Sequence, residues 1–461
     1  MKLNSLNIKE AVLSLKNKKF TSTELVKACL EEIKNKDKNL NSFITVDEKG
    51  ALGQAKHADI KIKEGINLPL LGIPIAVKDI FLTKGLKTTA GSRVLEDYIP
   101  QYDATVIRKL YEAGAVIVGK TNCDAWAHGS SGENSDFGPT KNPFNNEYVP
   151  GGSSSGSAVS VASDMVLAAT GTDTGGSIRL PASFCNVVGL KPTYGRVSRY
   201  GIISMSSSQD SIGHFTKTVE DSAILLSVTA GNDKYDATTP PVKVPDYEKS
   251  LKNLRKIKIG IPKEYFAKGL DPKIKEKVEQ SVKFFEKEKF EIIEISLPHT
   301  EYAIACYYVI QPSEVSSNLG RYDGIRYGND RSSFEDEAIR RIMLGTFTLS
   351  SGYYDAYYKK AMKVRTLIKK DFDDAFKKAD VLIAPVSPTT PWKLGEKTDD
   401  PLAMYLSDAL TVPANIAGIP GLSVPIGFID KLPVGMQILG LHFSEELLFQ
   451  MGHFYENGNR T

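Results

Sequence analysis

The sequence predicts an α/β protein built around a mostly parallel or mixed β-sheet. Three observations predict it. Short apolar runs alternate with helical stretches along the chain, the order expected of β-α-β units. In 461 residues, 41% hydrophobic against 25% charged is the mixture of a folded globular chain with a substantial core. No fixed-period repeat is visible, which removes a solenoid.

Charge and cysteine placement narrow the class further. The 58 Lys and Arg residues against 55 Asp and Glu leave a net charge of +3, too balanced for wrapping nucleic acid by bulk charge. Cys29, Cys123, Cys185 and Cys306 are widely scattered with no Cys-x-x-Cys pair. That argues against a zinc ribbon, a redox motif or a disulfide framework, so a cytoplasmic location and no metal site are expected. The first 20 residues interleave Lys and Glu with their apolar positions, unlike a signal peptide. The most apolar later stretch, 158–169, contains Ser160, Ser163 and Asp164 and falls far short of the ~20 residues that span a bilayer. No membrane contact is expected.

Residues 1–65 read as a helical segment. Thr21 and Glu24 have capping-box spacing, in which hydroxyl and carboxylate reciprocally satisfy backbone amides at a helix start. Leu25, Cys29 and Ile33 then recur at helical spacing among charged residues. Within a core of 70–215, residues 73–77 and 115–118 read as strands around a helix at 104–112. Strands are expected again at 256–261, 290–295, 381–384 and 422–426, with a charged helix at 273–287. Two segments interrupt the alternation: a Gly/Ser-dense region at 129–211 and a polar, Tyr-rich helical region at 300–375. The whole chain, 1–461, is expected to form one large domain.

The Gly/Ser region is the densest unusual composition. VPGGSSSGSAVSV at 149–161 is followed, after a short apolar run, by GTDTGGSIRLPASF at 171–184. A flexible linker would not be followed by a helical apolar pattern and a second Gly/Ser turn, so two tight backbone arrangements around one site are expected. A phosphate-binding loop requires Lys after its last glycine, and neither segment has one. Residues 152–156 match G-x-S-x-G, but Pro150 and the polar residues before it do not form the required strand. That elbow would need a histidine partner. His57, His128, His214, His299, His442 and His453 stand in no recognisable triad context, and on sequence alone this reading stays open.

A third chemistry is hydrolysis by serine and lysine. GGSSSGSA at 151–158, DTGGSIR at 173–179 and the upstream GIPIAVKD at 72–79 resemble, in order and spacing, the three motifs of the amidase signature family. The resemblance implies the amidase-signature fold, with a central mixed β-sheet covered by helices on both faces, and a Ser-cisSer-Lys triad. Ser177 would be the nucleophile, Ser153 the bridging serine on a cis peptide after Gly152, and Lys78 the base. The amides of Thr174, Gly175, Gly176 and Ser177 would form the oxyanion hole. Chemistry adds one requirement: a serine hydroxyl needs its proton removed, and an ammonium cannot accept it, so Lys78 must be held neutral. Its place after the apolar run 75–77 suits burial, which disfavours the charged form. Pairing with Asp79 is the ordinary structural alternative for Lys78, and helix N-capping the ordinary role for Ser154, Ser155 and Ser157.

The later segments resemble a narrower branch, the A subunits of glutamyl-tRNA(Gln) amidotransferases, most distinctively in RYDGIRYG at 321–328. That likeness implies a glutaminase that forms a γ-glutamyl-enzyme. Arg341 would clamp the α-carboxylate of free glutamine, Asp408 would take its α-ammonium, and Tyr307 would close the pocket, with Ser130 also binding substrate. It implies a heterotrimer with B and C subunits. No cofactor would bind this chain; the B subunit would use ATP and Mg²⁺ to convert Glu-tRNA(Gln) to Gln-tRNA(Gln) with the ammonia. The alternative is a stand-alone amidase acting on other carboxamides. The chain departs from the branch in three places: His128 stands where an apolar residue is usual, the stretch between Tyr327 and Glu337 is short, and the end at Thr461 comes early.

Overall fold

The computed structural model describes residues 2–267, 269–325 and 328–458. Arg326 and Tyr327 of the RYDGIRYG motif, and the terminal Thr461, lie outside them.

Its centre is an eleven-stranded mixed sheet. The strands are β1 (Phe43–Val46), β2 (Pro74–Lys78), β3 (Val116–Thr121), β4 (Ala168–Asp173), β5 (Val188–Lys191), β6 (Ser211–Thr216), β7 (Lys258–Pro262), β8 (Glu291–Ile295), β9 (Val381–Pro385), β10 (Gly421–Ile429) and β11 (Leu432–Gly440). They lie in the order β1-β3-β2-β4-β6-β5-β10-β11-β9-β7-β8. Parallel pairing joins β3, β2 and β4 at one end and β9, β7 and β8 at the other, with antiparallel pairing between.

The helix Ser22–Leu40 begins with the expected capping box: Thr21 Oγ1 accepts from the Glu24 amide at 3.1 Å, and Glu24 Oε2 accepts from the Thr21 amide at 2.7 Å. Asn41 then turns the chain in a left-handed conformation, φ +53°, and the chain enters β1. This corrects the all-helical reading of the opening 65 residues. Phe43, Ile44, Thr45 and Val46 are β-branched or aromatic, and they pair antiparallel with β3.

The second correction concerns residues 129–211. They do not interrupt the sheet: β4 and β5 lie within them and β6 begins at their end. Gly171 and Gly189 make these strands look like loop in one dimension. Inside the sheet, small residues allow the helices at 155–162 and 179–184 to pack closely. The Tyr-rich region holds the helices Ala303–Leu319, Asp336–Leu349 and Tyr358–Ala375.

The two sheet faces build different cores. Ile75 and Val77 of β2 join the largest apolar cluster, whereas Ala76 joins a second with Ala158, Val159 and Val161 of the helix Ser155–Ala162. Side chains alternate along a strand, so Lys78 points to the face of that helix. This alternation aims the lysine at the serine-rich turn.

Candidate active site

Lys78 ends β2 with no exposed surface. Its Nζ lies 2.8 Å from Ser153 Oγ, 2.9 Å from Ser154 Oγ and 2.9 Å from Thr172 Oγ1. Three hydroxyls thus surround the amine, and each can give or accept a proton. Burial pulls the Lys78 pKa down to about 8, against the opposing charges of Cys123, Asp124, Asp173 and Asp210. A neutral amine is accessible near neutral pH. Asp79 is not its partner: that carboxylate pairs with the buried Lys120 at 3.0 Å.

The Gly152–Ser153 peptide bond is cis. Glycine at 152 is required by packing, because a Cβ there would stand 2.0 Å from Asp124 Oδ2. Asp124 accepts from the amides of Gly132 at 3.1 Å and Asn134 at 2.9 Å, so its carboxylate cannot simply swing aside. Burial raises its pKa to about 6, against those two hydrogen bonds. Ser154 stands at the N-cap position of the helix Ser155–Ala162, but the hydroxyls of Ser154, Ser155 and Ser157 make no capping hydrogen bond among the described residues. Ser154 Oγ donates to the Thr172 carbonyl at 3.1 Å, Ser155 reaches Thr140, and Ser157 shares a 2.7 Å hydrogen bond with Thr121.

Ser177 follows β4 on the turn 174–177. It is 7% exposed, whereas Lys78 and Ser153 are 0%, so it is the member of the trio that an outside molecule reaches. Its carbonyl accepts from the Ser154 amide at 3.3 Å, and no hydrogen bond among the described residues joins its hydroxyl to Ser153. The turn is braced on three sides. Thr174 Oγ1 donates to Asp210 at 2.7 Å, Thr411 Oγ1 donates to the Gly175 carbonyl at 2.6 Å, and Asp173 holds Arg179 through two contacts of 3.1 Å. Gly176 sits at φ +141°, and a Cβ on it would come 2.2 Å from Thr411 Oγ1. The amides of residues 174–177 make no hydrogen bond among the described residues. A fixed backbone with free donors suits a developing oxyanion.

Arg179 anchors this brace from beneath. Its guanidinium donates to Gln437 Oε1 at 2.8 Å, the Thr411 carbonyl at 2.9 Å and Asn415 Oδ1 at 2.6 Å, besides Asp173. Burial pushes Asp173 up, but Arg179 outweighs it and holds the carboxyl at about 2.

The four predicted substrate-binding residues gather beside the turn. Ser130 Oγ donates to Asp408 Oδ2 at 2.5 Å. Burial raises Asp408 to about 7, partly offset by Ser130 and by the Arg341 charge. Arg341 donates from Nε to Glu337 Oε1 at 2.7 Å and from Nη1 to Gln311 Oε1 at 2.9 Å. It also lies 5.2 and 5.5 Å from the ring centres of Tyr308 and Tyr405. The Tyr307 hydroxyl lies over Gly175, close enough that a methyl there would meet it at 2.9 Å. In the described part of RYDGIRYG, Tyr322 packs on Trp126 with ring centres 4.8 Å apart.

Sequence reasoning missed Thr172, Asp124, Glu337 and Gln311. The signal for Thr172 and Asp124 was their place inside or just before the Gly/Ser motifs. Glu337 precedes Arg341 by one helical turn, a spacing that itself favours an ion pair. Gln311 lies one turn after Tyr307, on the face of the helix Ala303–Leu319 that Tyr307 presents to the pocket.

A mixed sheet with a buried lysine, a cis-linked serine and a free-amide turn defines a class, and the chain belongs to the amidase family, whose model matches residues 24–449. Within it the chain closely resembles one kind of member. It is 51% identical over 476 residues to the A subunit of glutamyl-tRNA(Gln) amidotransferase from Thermoanaerobacter pseudethanolicus, covering 100% of this chain and 98% of that one. Its fold matches the crystal structure of the same subunit from Thermotoga maritima with a TM-score of 0.84 at 42% identity, covering 98% of this chain and 94% of that one. The peptide amidase of Stenotrophomonas maltophilia is also similar, at 31% identity and a TM-score of 0.85 over 99% and 97% of the two chains.

Proposed function

We propose that the chain is the glutamine-hydrolysing component of a tRNA-dependent amidotransferase, working through Ser177, Ser153 and Lys78. The observation that carries this reading is the buried Lys78 amine, 2.8 Å from the Ser153 hydroxyl and lowered towards neutrality. Its full-length likeness to the A subunits of such enzymes supports the substrate.

The Ser177 oxygen attacks the side-chain carbonyl carbon of glutamine. Its proton passes to Ser153, whose own proton moves to the neutral Lys78. The carbonyl oxygen gains negative charge and is held by the amides of residues 174–177; a single such donor is typically worth about 3–4 kcal/mol to a transition state. Collapse breaks the carbon–nitrogen bond, the proton returns through Ser153 to the leaving nitrogen, and ammonia departs from a γ-glutamyl ester on Ser177. Water then attacks the ester by the same relay and glutamate leaves. The Ser177 side chain must rotate onto Ser153 when substrate enters, as hydrogen bonds in empty sites commonly tighten on binding.

Arg341 and Asp408 present opposite charges to a free amino acid, the cation to its α-carboxylate and the carboxylate to its α-ammonium. Ser130 orients Asp408, and Tyr307 covers the side chain. The ammonia would pass to the B subunit, which uses ATP and Mg²⁺ on Glu-tRNA(Gln), with the C subunit completing the heterotrimer in the cytoplasm. The near-neutral net charge of this chain accords with tRNA binding elsewhere in the complex.

The test is ammonia release from glutamine and from simple carboxamides, by the purified chain alone and with candidate B and C subunits. Preference for glutamine that increases with the partners is expected. Preference for simple amides without any partner response would overturn the reading in favour of a stand-alone amidase.

A further inference from the structure

His128 has no exposed surface, and neither ring nitrogen has a hydrogen-bond partner among the described residues. Its main chain is nevertheless fixed: the amide donates to Ala125 at 2.9 Å and the carbonyl accepts from Asn134 at 3.1 Å. The two residues before it, Trp126 and Ala127, both lie in the left-handed region at φ +57° and +63°. Non-glycine residues rarely adopt that conformation, and it recurs where a side chain must be aimed. Two residues later comes Ser130, hydrogen-bonded to Asp408.

Gln311 repeats the pattern beside Arg341. It is fully buried, its Oε1 is fixed by Arg341 at 2.9 Å, and its Nε2 has no partner among the described residues. Arg341 itself spends Nε and one Nη1 hydrogen on Glu337 and Gln311, while Nη2 makes no hydrogen bond among the described residues. Burial and the Arg341 charge keep His128 neutral, so its ring offers one N–H donor. Unmet buried donors are costly and call for an occupant that accepts from them.

We propose that His128 and Gln311 complete, with Arg341, a subsite for the α-carboxylate of the bound amino acid. The group that fits is an acceptor-only anion of carboxylate size, its ammonium directed to Asp408 across the pocket. This rests on the glutamine reading above and deepens it: specificity for a free α-carboxylate comes from two neutral donors as well as the guanidinium.

Binding to the full-length Ser177→Ala chain, measured by calorimetry with L-glutamine and with its α-amide as probes, tests this. His128→Met and Gln311→Ala should each weaken L-glutamine about tenfold, the loss of one charge-assisted hydrogen bond, and leave the α-amide within about twofold. His128→Asn keeps a donor and should retain most of the preference. Removing the unpaired imidazole should also leave the ligand-free His128→Met chain at least as thermally stable as its parent, which a purely structural histidine would not. Equal losses for both probes, no loss for glutamine, or a parent chain that does not distinguish the probes overturns the subsite. If the parent discriminates while the chain with Ser177 intact releases no ammonia from glutamine, with or without partners, the subsite stands and the proposed reaction falls.

Discussion

Ser130 and Asp408 lie 278 positions apart in the chain and share a 2.5 Å hydrogen bond. It joins the loop before the Gly/Ser motifs to the segment after the helix Pro401–Leu406, and it leaves one carboxylate buried beside Ser177's turn. Burial holds Asp408 at about 7 in the empty pocket. An α-ammonium bound there favours the ionised form, so binding lowers that pKa. Glutamine binding at pH 7 should therefore release about half a proton. Affinity should rise with pH up to about 7, level off above it, and fall on acidification. Calorimetry in buffers of different ionisation enthalpy measures the proton count; none released would remove Asp408 from the ammonium site.

Ser177→Ala should abolish the glutamyl adduct seen by intact mass. Lys78→Ala should reduce turnover by about a hundredfold or more, the scale of general-base catalysis, while glutamine still binds. Adduct formation at the normal rate in either variant would refute the triad.

The rate should also follow the charge on Lys78. The base works only as the neutral amine, and its pKa is about 8. At limiting glutamine, kcat/KM should climb with pH to a plateau above that value, drop about tenfold per unit between 8 and 7, and fall more steeply below 7, where Asp408 protonates as well. A profile flat from pH 6 to 8 is inconsistent with a lysine base.

Gly152→Ala should be far more damaging than its size suggests. The methyl would stand 2.0 Å from Asp124 Oδ2, which two amides hold in place. Overpacking of this kind costs about 1–3 kcal/mol, and any relief displaces Ser153 from Lys78. Urea denaturation and ammonia release should both report the loss, and Asp124→Ala in the same chain should recover part of the stability.

Arg179→Met should destabilise by about 3–5 kcal/mol, because it leaves Asp173 buried without its cation. The same change loosens the 174–177 turn, so turnover should fall more than glutamine affinity. Equal stability of variant and parent in urea would show that the network does not brace the turn.

Much of the site was legible because its chemistry is local in sequence. Gly152, Ser153 and Ser177 stand in two dense motifs, and Lys78 closes an apolar strand whose alternation sets its direction. Arg341 and Asp408 could be named only through likeness to a family, since an isolated arginine or aspartate carries no address. The hydroxyl of Thr172 meets Lys78 across 94 positions, and nothing in local composition foretells that contact. The strands β4, β5 and β6 escaped for a related reason. Gly171, Gly189 and Gly213 interrupt them, and glycine has weak strand preference alone and becomes strand by pairing within the sheet.

The sequence by itself determined the α/β alternation, the capped helix at 22–40, the balanced charge and the motifs that make Lys78, Ser153 and Ser177 candidates for amide chemistry. Those follow from side-chain periodicity and short-range hydrogen bonding, which act over a few positions. Only the tertiary structure decided that Asp79 belongs to Lys120, that the Ser154 hydroxyl serves Lys78 and not a helix-end amide, and that the His128 ring nitrogens and Gln311 Nε2 find no partner among the described residues. Each of those outcomes depends on burial and on partners brought from distant segments, and both are properties of the packed fold.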